Sequence, residues 1–225
     1  MSEGPGAKVY VFDAYGTLFD VHSAVARHRE TIGPSADRLS ELWRTKQLEY
    51  SWVRSLAGRY RDFWSLTEDA LDFAAAKIGG IAPEARATLL DAYRALDAYP
   101  EIREVLGELK AQGASIAILS NGSPAMLDAG VSAAGIGDLL DDVLSVDELE
   151  VFKTDPRTYA LVTRRFGVTA EDVSFQSSNR WDIAGAKAFG FRCAWINRAG
   201  APDEYAELTP DRTLCDLRGL LDASE

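Results

Sequence analysis

The sequence predicts an α/β fold in which a doubly wound parallel sheet carries an inserted helical cap subdomain. Short apolar stretches alternate with helical patterns over most of the chain, which is typical of a parallel sheet with helices on both faces. One stretch, residues 20–97, shows helical periodicity alone. The 225 residues suffice for one core domain with a smaller insertion. We therefore assign residues 1–19 and 98–225 to the core and residues 20–97 to the cap.

Five short apolar stretches predict the buried strands. They are KVYVF (8–12), SIAIL (115–119), DVLSV (142–146), DVSFQ (172–176) and RCAWI (192–196). Helical patterns lie between most of them, and two of these patterns, EIREVLGELKAQG and DPRTYALVTRRFG, close on a glycine, as many helices do. In such sheets ligands bind at the carboxyl ends of the strands, so we expect the functional site there.

The insertion predicts helices and places them over the end of the first strand. Within LSELWRTKQLEYSWVRSL, helical spacing relates the apolar residues Leu39, Leu42, Trp43, Tyr50 and Val53. The stretch TEDALDFAAAKIGG offers Thr67 as a helix N-cap, and PEARATLLDAYRAL begins with proline, which suits a first helical turn.

Composition excludes several classes of partner and of site. The chain has 24 basic and 35 acidic residues, and its net charge of -11 disfavours binding to nucleic acid or an anionic membrane. No apolar run approaches the ~20 residues of a membrane span, and MSEGPGAK lacks the pattern of a signal peptide. Cys193 and Cys215 lack the spacing of a metal or disulfide site. We expect a soluble, cytoplasmic protein.

Polar residues follow four of the predicted strands at their carboxyl ends. Strand by strand they are Asp13 and Thr17; Ser120 and Asn121; Lys153, Asp155 and Tyr159; and Ser177, Ser178, Asn179 and Asp182. Groups from four separate stretches would thus converge on one rim, as a catalytic site in this architecture requires.

Each residue alone also has a structural interpretation. Asp13 could be a turn residue or helix cap, Asp182 could cap the helix that follows it, and Ser120 could shape a turn. Lys153 could be a solvated surface charge, and Tyr159 could be ordinary core. Their joint occurrence, in order and at strand ends, favours a catalytic site.

The four stretches resemble a known family. FDAYGTLFD, LSNGSP, FKTDPRTY and SSNRWD are similar, in this order, to the motifs of the haloacid dehalogenase superfamily, and LWRTKQLEYSW resembles the (S)-2-haloacid dehalogenases within it. The similarity covers nearly the whole chain. It implies a Rossmann-like core under a helical cap, a hydrolase that acts on carbon–halide bonds, and a homodimer.

The sequence departs from the superfamily's phosphatases at two places. Those enzymes carry a second Asp two residues after the first, where this chain has Tyr15, and a Mg²⁺-binding Asp in the fourth motif, where it has the pair Ser177–Ser178. A phosphatase needs that proton donor and that metal, whereas a halide leaves as a stable anion. The resemblance therefore implies an enzyme without metal or other cofactor, whose partners are a small 2-haloacid and the halide product.

The resemblance also implies the reaction and the catalytic residues. Short (S)-2-haloalkanoic acids would become (R)-2-hydroxyalkanoic acids, with Asp13 as the nucleophile that forms an ester and inverts C2. Lys153 would keep Asp13 charged. Thr17 would orient the carboxylate, and Ser177 and Tyr159 would support the array.

The remaining implied roles concern the substrate and the water. Arg44, with Asn121, would accept the halide, and Ser120 would hold the substrate carboxylate together with backbone amides. Asp182, positioned by Asn179, would activate the water that hydrolyses the ester. The pocket wall would consist of Tyr15, Leu48, Phe63 and Trp181.

Two other functions stay open on the sequence. A magnesium-dependent small-molecule phosphatase of the same fold would release phosphate and would lose activity with a chelator. The second is a non-catalytic protein that binds small carboxylates. For such a protein the variant Asp13→Asn would change no measurable reaction.

Overall fold

The structure, a computed structural model, describes residues 9–222 and contains a six-stranded parallel sheet. Lys8 of the first predicted strand and the MSEGPGAK segment lie outside the described residues. The strands follow the spatial order β3-β2-β1-β4-β5-β6. In chain order they are β1 (Val9–Phe12), β2 (Ser115–Ser120), β3 (Asp142–Ser145), β4 (Val173–Ser177), β5 (Arg192–Ile196) and β6 (Arg212–Leu214).

The central position of β1 determines where polar groups meet. Phe12, its last residue, pairs with Ile118 of β2 and with Gln176 of β4. Because the strands are parallel, the residues that follow β1, β2 and β4 emerge at the same edge of the sheet. The strand order also reverses between the neighbouring strands β1 and β4, because β2 and β3 lie on one side of this pair and β5 and β6 on the other, and such switch points form ligand crevices.

The prediction of a doubly wound α/β fold is confirmed, and the number of strands is corrected. All five predicted stretches contain strands of the sheet. The sixth, β6, lies at the edge beside β5, where Arg212 pairs with Ala194. Its three residues, RTL, include no apolar run, because an edge strand is paired and covered on fewer sides.

Helices flank the sheet and make up the insertion. Within residues 20–97 the helices are α1 (Ser23–Ala26), α2 (Arg29–Ile32), α3 (Ala36–Leu56), α4 (Phe63–Lys77) and α5 (Pro83–Arg94). The others are α6 (Ile102–Ala111), α7 (Pro124–Ala134), α8 (Pro156–Phe166) and α9 (Arg180–Phe189). All of residues 20–97 are described, and the strands of the sheet lie outside them. None of the helices in the described part of the chain is long and apolar enough to cross a membrane.

The start of α4 differs from the sequence prediction. The N-cap is Asp62, whose Oδ1 accepts a hydrogen bond from the Ser65 amide at 3.0 Å. Thr67 lies inside the helix, where its hydroxyl donates to the Phe63 carbonyl at 2.8 Å. The sequence predicts the threonine as the cap because its residue type suits one, whereas Pro83 does begin α5 as expected.

The first turns of α4 bury apolar side chains against the rest of the fold. Phe63, Leu66 and Ala70 are all buried almost completely. These residues follow helical spacing, so they share one face of α4. The buried face therefore begins at the first residue of the helix, directly after the Asp62 cap.

Two chain segments connect the insertion with the sheet, and they lie side by side. The Asp20 amide donates to the Asp97 carbonyl at 2.8 Å, and the Tyr99 amide donates to the Leu18 carbonyl at 3.1 Å. Inside the insertion α3 packs against α4, where the indole N–H of Trp43 donates to a backbone carbonyl of α4 at 2.8 Å. Arg44 of α3 donates to the carbonyl of Tyr15, which follows β1, so α3 lies beside the carboxyl end of β1. The division into core and cap at residues 20 and 97 stays a prediction.

Candidate active site

The carboxylate of Asp13, directly after β1, is surrounded by hydrogen-bond donors. Its Oδ1 lies 3.1 Å from the Lys153 ammonium. Its Oδ2 accepts from the Thr17 hydroxyl at 3.1 Å, the Asn179 amide at 2.8 Å and the Ser177 hydroxyl at 3.4 Å. Only 5% of Asp13 is exposed. A buried carboxylate with these partners is oriented and charge-balanced, so the interpretation of Asp13 as a simple turn residue is wrong.

A tight turn brings Thr17 back to Asp13. Gly16 has a φ of 96°, in the left-handed region that glycine adopts without strain, and its amide donates to the Phe19 carbonyl at 2.8 Å. The Thr17 hydroxyl, which donates to Asp13, also accepts from the Ser178 amide at 2.8 Å. Ser178, which follows β4, therefore fixes the Thr17 hydroxyl, and this hydroxyl in turn orients Asp13.

Lys153 connects two buried carboxylates. Its ammonium donates to Asp13 Oδ1 at 3.1 Å, to Asp182 Oδ2 at 2.8 Å and to the Leu119 carbonyl at 2.8 Å, and its side chain is fully buried. Burial lowers the pKa of this lysine, but Asp13 and Asp182 outweigh burial and raise the pKa above its ordinary value. Lys153 is therefore a charged group inside the protein, and the interpretation as a solvated surface lysine is wrong.

Asp182 and Tyr159 form a second buried pair behind Lys153. The Tyr159 hydroxyl donates to Asp182 Oδ1 at 2.8 Å. Burial raises the pKa of Asp182 to about 6, with Lys153 opposing the shift and Asp13 adding to it. Burial and the Asp182 charge raise the pKa of Tyr159 well above its ordinary value, so the phenol stays a donor. Since Asn179 is the N-cap of α9, the capping interpretation of Asp182 is wrong.

Asn179 lies between Asp13 and Arg44. Its amide nitrogen donates to Asp13 Oδ2 at 2.8 Å and to the Tyr15 carbonyl at 3.2 Å, while its amide oxygen accepts from Arg44 at 3.2 Å. Arg44, on α3, also donates to the Tyr15 carbonyl at 3.1 Å. Asn179 contacts Asp182 only through the backbone, where its carbonyl accepts from the Asp182 amide at 3.0 Å. The side chain of Asn179 therefore contacts Asp13 and Arg44, and its role in positioning Asp182 stays a prediction.

One narrow cavity brings the predicted substrate-contacting residues together with Asp13. Its lining consists of Asp13, Tyr15, Arg44, Leu48, Phe63, Ser120, Asn121 and Trp181. Ser120 and Asn121 also have structural partners: the Ser120 hydroxyl accepts from the Gly122 amide at 3.1 Å, and the Asn121 side-chain oxygen accepts from the Lys153 amide at 3.0 Å. The cavity combines apolar walls with an arginine and a carboxylate, as a site for a small, partly apolar anion requires.

Sequence reasoning missed the residues that determine where the Tyr15 ring lies. Tyr93 of α5 stacks on Tyr15 with ring centroids 5.9 Å apart and planes 7° apart. On another side, a Cβ at Gly122 would lie 2.7 Å from Tyr15 Cε2, so glycine leaves room for the ring. The sequence gives no signal for Tyr93, because an aromatic residue in a helical pattern predicts only core packing. It gives none for Gly122, because the role of this glycine depends on its contact with the Tyr15 ring across the fold.

Comparison with known proteins identifies the family. Residues 7–190 match the model of the haloacid dehalogenase-like hydrolases. The chain is 51% identical to (S)-2-haloacid dehalogenase 1 of Pseudomonas sp. (strain CBS-3) over 197 residues, which are 87% of each chain. It is 46% identical to the (S)-2-haloacid dehalogenase of Pseudomonas sp. (strain YL), over 97% of this chain and 94% of the relative.

Solved structures agree with the sequence comparison. The L-2-haloacid dehalogenase of Xanthobacter autotrophicus with chloropropionic acid covalently bound superposes with a TM-score of 0.85 at 39% identity, covering 95% of this chain and 96% of that one. A crystal structure of a dehalogenase with an intermediate complex superposes with a TM-score of 0.95 at 44% identity, covering 99% and 100%. The chain therefore belongs to the haloacid dehalogenase-like hydrolases and, within them, to the (S)-2-haloacid dehalogenases, which are hydrolases acting on carbon–halide bonds.

Proposed function

We propose that this protein hydrolyses short (S)-2-haloalkanoic acids to (R)-2-hydroxyalkanoic acids through an ester on Asp13. The observation that carries the proposal is the Asp13 carboxylate, which shares one small apolar cavity with Arg44 and has only donors and a cation as side-chain partners among the described residues. The names of the relatives support the substrate class, and the covalently bound chloropropionic acid in the Xanthobacter enzyme supports an ester.

In the first step, a carboxylate oxygen of Asp13 attacks C2 of the substrate. A bond forms between that oxygen and C2 while the carbon–halogen bond breaks, and the halide leaves with the bonding electrons. Attack opposite the leaving group inverts C2. Arg44 supplies the positive charge for the departing halide, and Ser120 with neighbouring backbone amides holds the substrate carboxylate. Thr17 and Asn179 keep the attacking carboxylate oriented through their hydrogen bonds.

In the second step, water attacks the Asp13 carboxyl carbon and cleaves the ester. The 2-hydroxy acid leaves with the oxygen that came from Asp13 and with one proton of the water, and the water oxygen remains in the regenerated carboxylate. Asp182 accepts the other proton of the water and later gives it up to solvent; this proton is relayed through Lys153, whose ammonium lies 3.1 Å from Asp13 and 2.8 Å from Asp182. Lys153 gives a proton to Asp182 as it receives one, so its own charge is restored.

We further propose that the reaction needs no metal ion. Hydroxyls, an amide N–H and an ammonium group contact Asp13, whereas Mg²⁺ prefers several carboxylate or carbonyl oxygens around it. Tyr15, which stands where phosphatases of the superfamily carry the acid, is no substitute for it, because burial raises the pKa of this phenol above its ordinary value.

A chelator distinguishes this reaction from that of a phosphatase. Halide release from (S)-2-chloropropionate should survive an excess of chelator, because the cationic groups beside Asp13 belong to the protein itself. Ion chromatography of the released chloride, with and without chelator, measures the effect. Phosphate release from small phosphate esters that chelator abolishes would instead support the phosphatase.

A single turnover in H₂¹⁸O tests the two-step route. With enzyme in excess over substrate, the label should enter the Asp13 carboxylate, because the water oxygen stays on the protein when the ester is cleaved. Mass spectrometry of the peptide that contains Asp13 measures the incorporation. Label found in the product hydroxyl after this first turnover would show direct attack by water on C2 and would refute the ester.

The raised pKa of Asp182 predicts how the second step depends on pH. The carboxyl is protonated below its pKa of about 6 and cannot accept a proton there. In the ester Asp13 carries no charge, so the contribution of Asp13 to the raised pKa is lost and the pKa of Asp182 in the second step lies below about 6. The turnover rate should therefore fall as the pH drops below about 6, while the first step, which does not use Asp182 as a base, persists. Rapid-mixing measurements at low pH should show a burst of about one halide per active site, followed by slow turnover. A rate of ester hydrolysis that stays constant far below pH 6 would exclude Asp182 as the base.

The assembly, location and domain division stay predictions. By resemblance we expect a homodimer and a cytoplasmic location, with residues 20–97 as a cap over the core.

A further inference from the structure

Arg198, which follows β5, contacts both chain segments that connect the insertion with the sheet. Its guanidinium donates to the Thr17 carbonyl at 3.1 Å. It also forms an ion pair with Glu101, whose carboxylate oxygen lies 2.6 Å away without the alignment of a hydrogen bond. The guanidinium carbon lies 3.8 Å from the centroid of the Tyr99 ring, which is a cation–π contact. One side chain thus touches both the outgoing and the returning segment.

The contact with Thr17 leads directly to the reacting group. The hydroxyl of Thr17 donates to Asp13 Oδ2 at 3.1 Å, while its carbonyl accepts from Arg198. Thr17 is fully buried and belongs to the turn in which the amides of residues 17–19 donate to the Ala14 carbonyl. A shift of this turn would therefore move the donor that orients Asp13.

The partner of Arg198 is itself a buried charge. The Glu101 side chain is 3% exposed and that of Arg198 is 19% exposed, so neither charge is well solvated. Removing one member of such a pair leaves the other charge buried without compensation. The guanidinium of arginine can bind a carboxylate and a backbone carbonyl at the same time, because it has separate N–H groups for each. Lysine offers one compact charged group and cannot span both partners in this way.

We propose that Arg198 is a positioning residue, which fixes the turn that carries Thr17 against the returning segment at Glu101 and so holds the Asp13 carboxylate in its attacking orientation. The proposal rests on the function proposed above. It adds a residue outside the catalytic cavity, at the point where the insertion joins the sheet. Arg198 acts through Thr17 and does not contact the substrate.

The variant Arg198→Lys separates positioning from stability. It keeps a positive charge beside Glu101, so we expect the thermal midpoint to stay within about 4 °C of the wild type. It loses the reach to the Thr17 carbonyl, so we expect kcat for halide release to fall by about 10- to 100-fold, as a displaced catalytic group does. KM should change less than kcat, because the residues that line the cavity are untouched.

Hydrogen exchange gives a readout that does not need activity. The amides of Thr17, Leu18 and Phe19 should exchange faster in Arg198→Lys than in the wild type, and the amides of β1 should not change. The control variant is Glu104→Gln on α6, which breaks the exposed ion pair with Arg218 and should change neither kcat nor the exchange of this turn.

The outcomes are distinguishable. If Arg198→Lys keeps the wild-type kcat and the wild-type exchange of the turn, the proposal is overturned and the proposed function stands. If kcat falls only in proportion to a loss of folded protein, the role is structural and the proposal is also overturned. If the wild type releases no halide, the proposed function fails, and unchanged exchange of the turn then overturns the positioning role by itself.

Discussion

Replacing Asp13 by asparagine should abolish halide release from (S)-2-chloropropionate, with a loss of at least ~10⁴-fold in kcat, because the amide has no anionic oxygen to displace the halide. The change keeps the shape of the side chain, so the cavity should persist. Steady-state halide release, followed with and without chelator, measures the effect.

The matched control for this variant is Asp155→Asn. The Asp155 carboxylate caps α8, accepting from the Arg157 amide at 2.9 Å, and contacts the exposed Arg157 side chain. Asparagine caps helices about as well as aspartate, so activity and stability should change little. If Asp13→Asn retained wild-type halide release, the ester mechanism would be refuted. If the wild type itself showed no reaction, a carboxylate-binding protein would be the better interpretation.

The fold was predictable where apolar patterns are strong. Buried strands such as β1 and β2 have nearly continuous apolar runs because helices cover both faces of the sheet. The edge strand β6 has no such pattern, since its pairing with β5 depends on backbone groups that any residue carries. Residue type alone predicts the start of α4 at the wrong place, because Asp62 and Thr67 both suit a cap and only tertiary packing distinguishes them.

The site was predictable as a set of residues more than as a set of contacts. Residue types at strand ends, together with the resemblance, predict Asp13, Lys153 and Asp182 as one group, and these side chains form one buried cluster. The partners of Asn179 were not predictable, because which oxygen a side chain reaches depends on the relative positions of α3, α9 and β1. The Leu119 carbonyl, an acceptor for Lys153, belongs to the backbone and is invisible to reasoning from residue types.

Replacing Lys153 by methionine should cost both activity and stability. It removes the cation shared by Asp13 and Asp182 and leaves two buried carboxylates without compensation, which typically costs about 3–5 kcal/mol of unfolding free energy. The proposed proton relay is lost as well, so kcat should fall by at least ~10³-fold. Urea unfolding and halide release measure the two effects. Lys187→Met is the control, because its ion pair with Asp211 is partly exposed and such pairs contribute about 1 kcal/mol or less.

The double variant Lys153→Met/Asp182→Asn distinguishes the electrostatic explanation from a packing defect. Neutralising Asp182 removes one of the two uncompensated charges, so the double variant should recover part of the lost unfolding free energy while staying inactive. The pH dependence has the same cause. Burial raises the pKa of Asp182 to about 6 although Lys153 lowers it, so without Lys153 this carboxyl becomes neutral at a still higher pH.

The destabilisation by Lys153→Met should therefore be smaller at about pH 5 than at about pH 8, because a carboxyl whose folded-state pKa is raised is protonated, and no longer an uncompensated charge, at the lower pH. Urea unfolding of the wild type, the single variant and the double variant at both pH values measures the difference. A destabilisation that is independent of pH and unchanged by Asp182→Asn would mean that the aliphatic stem of Lys153, and not its charge, stabilises the fold.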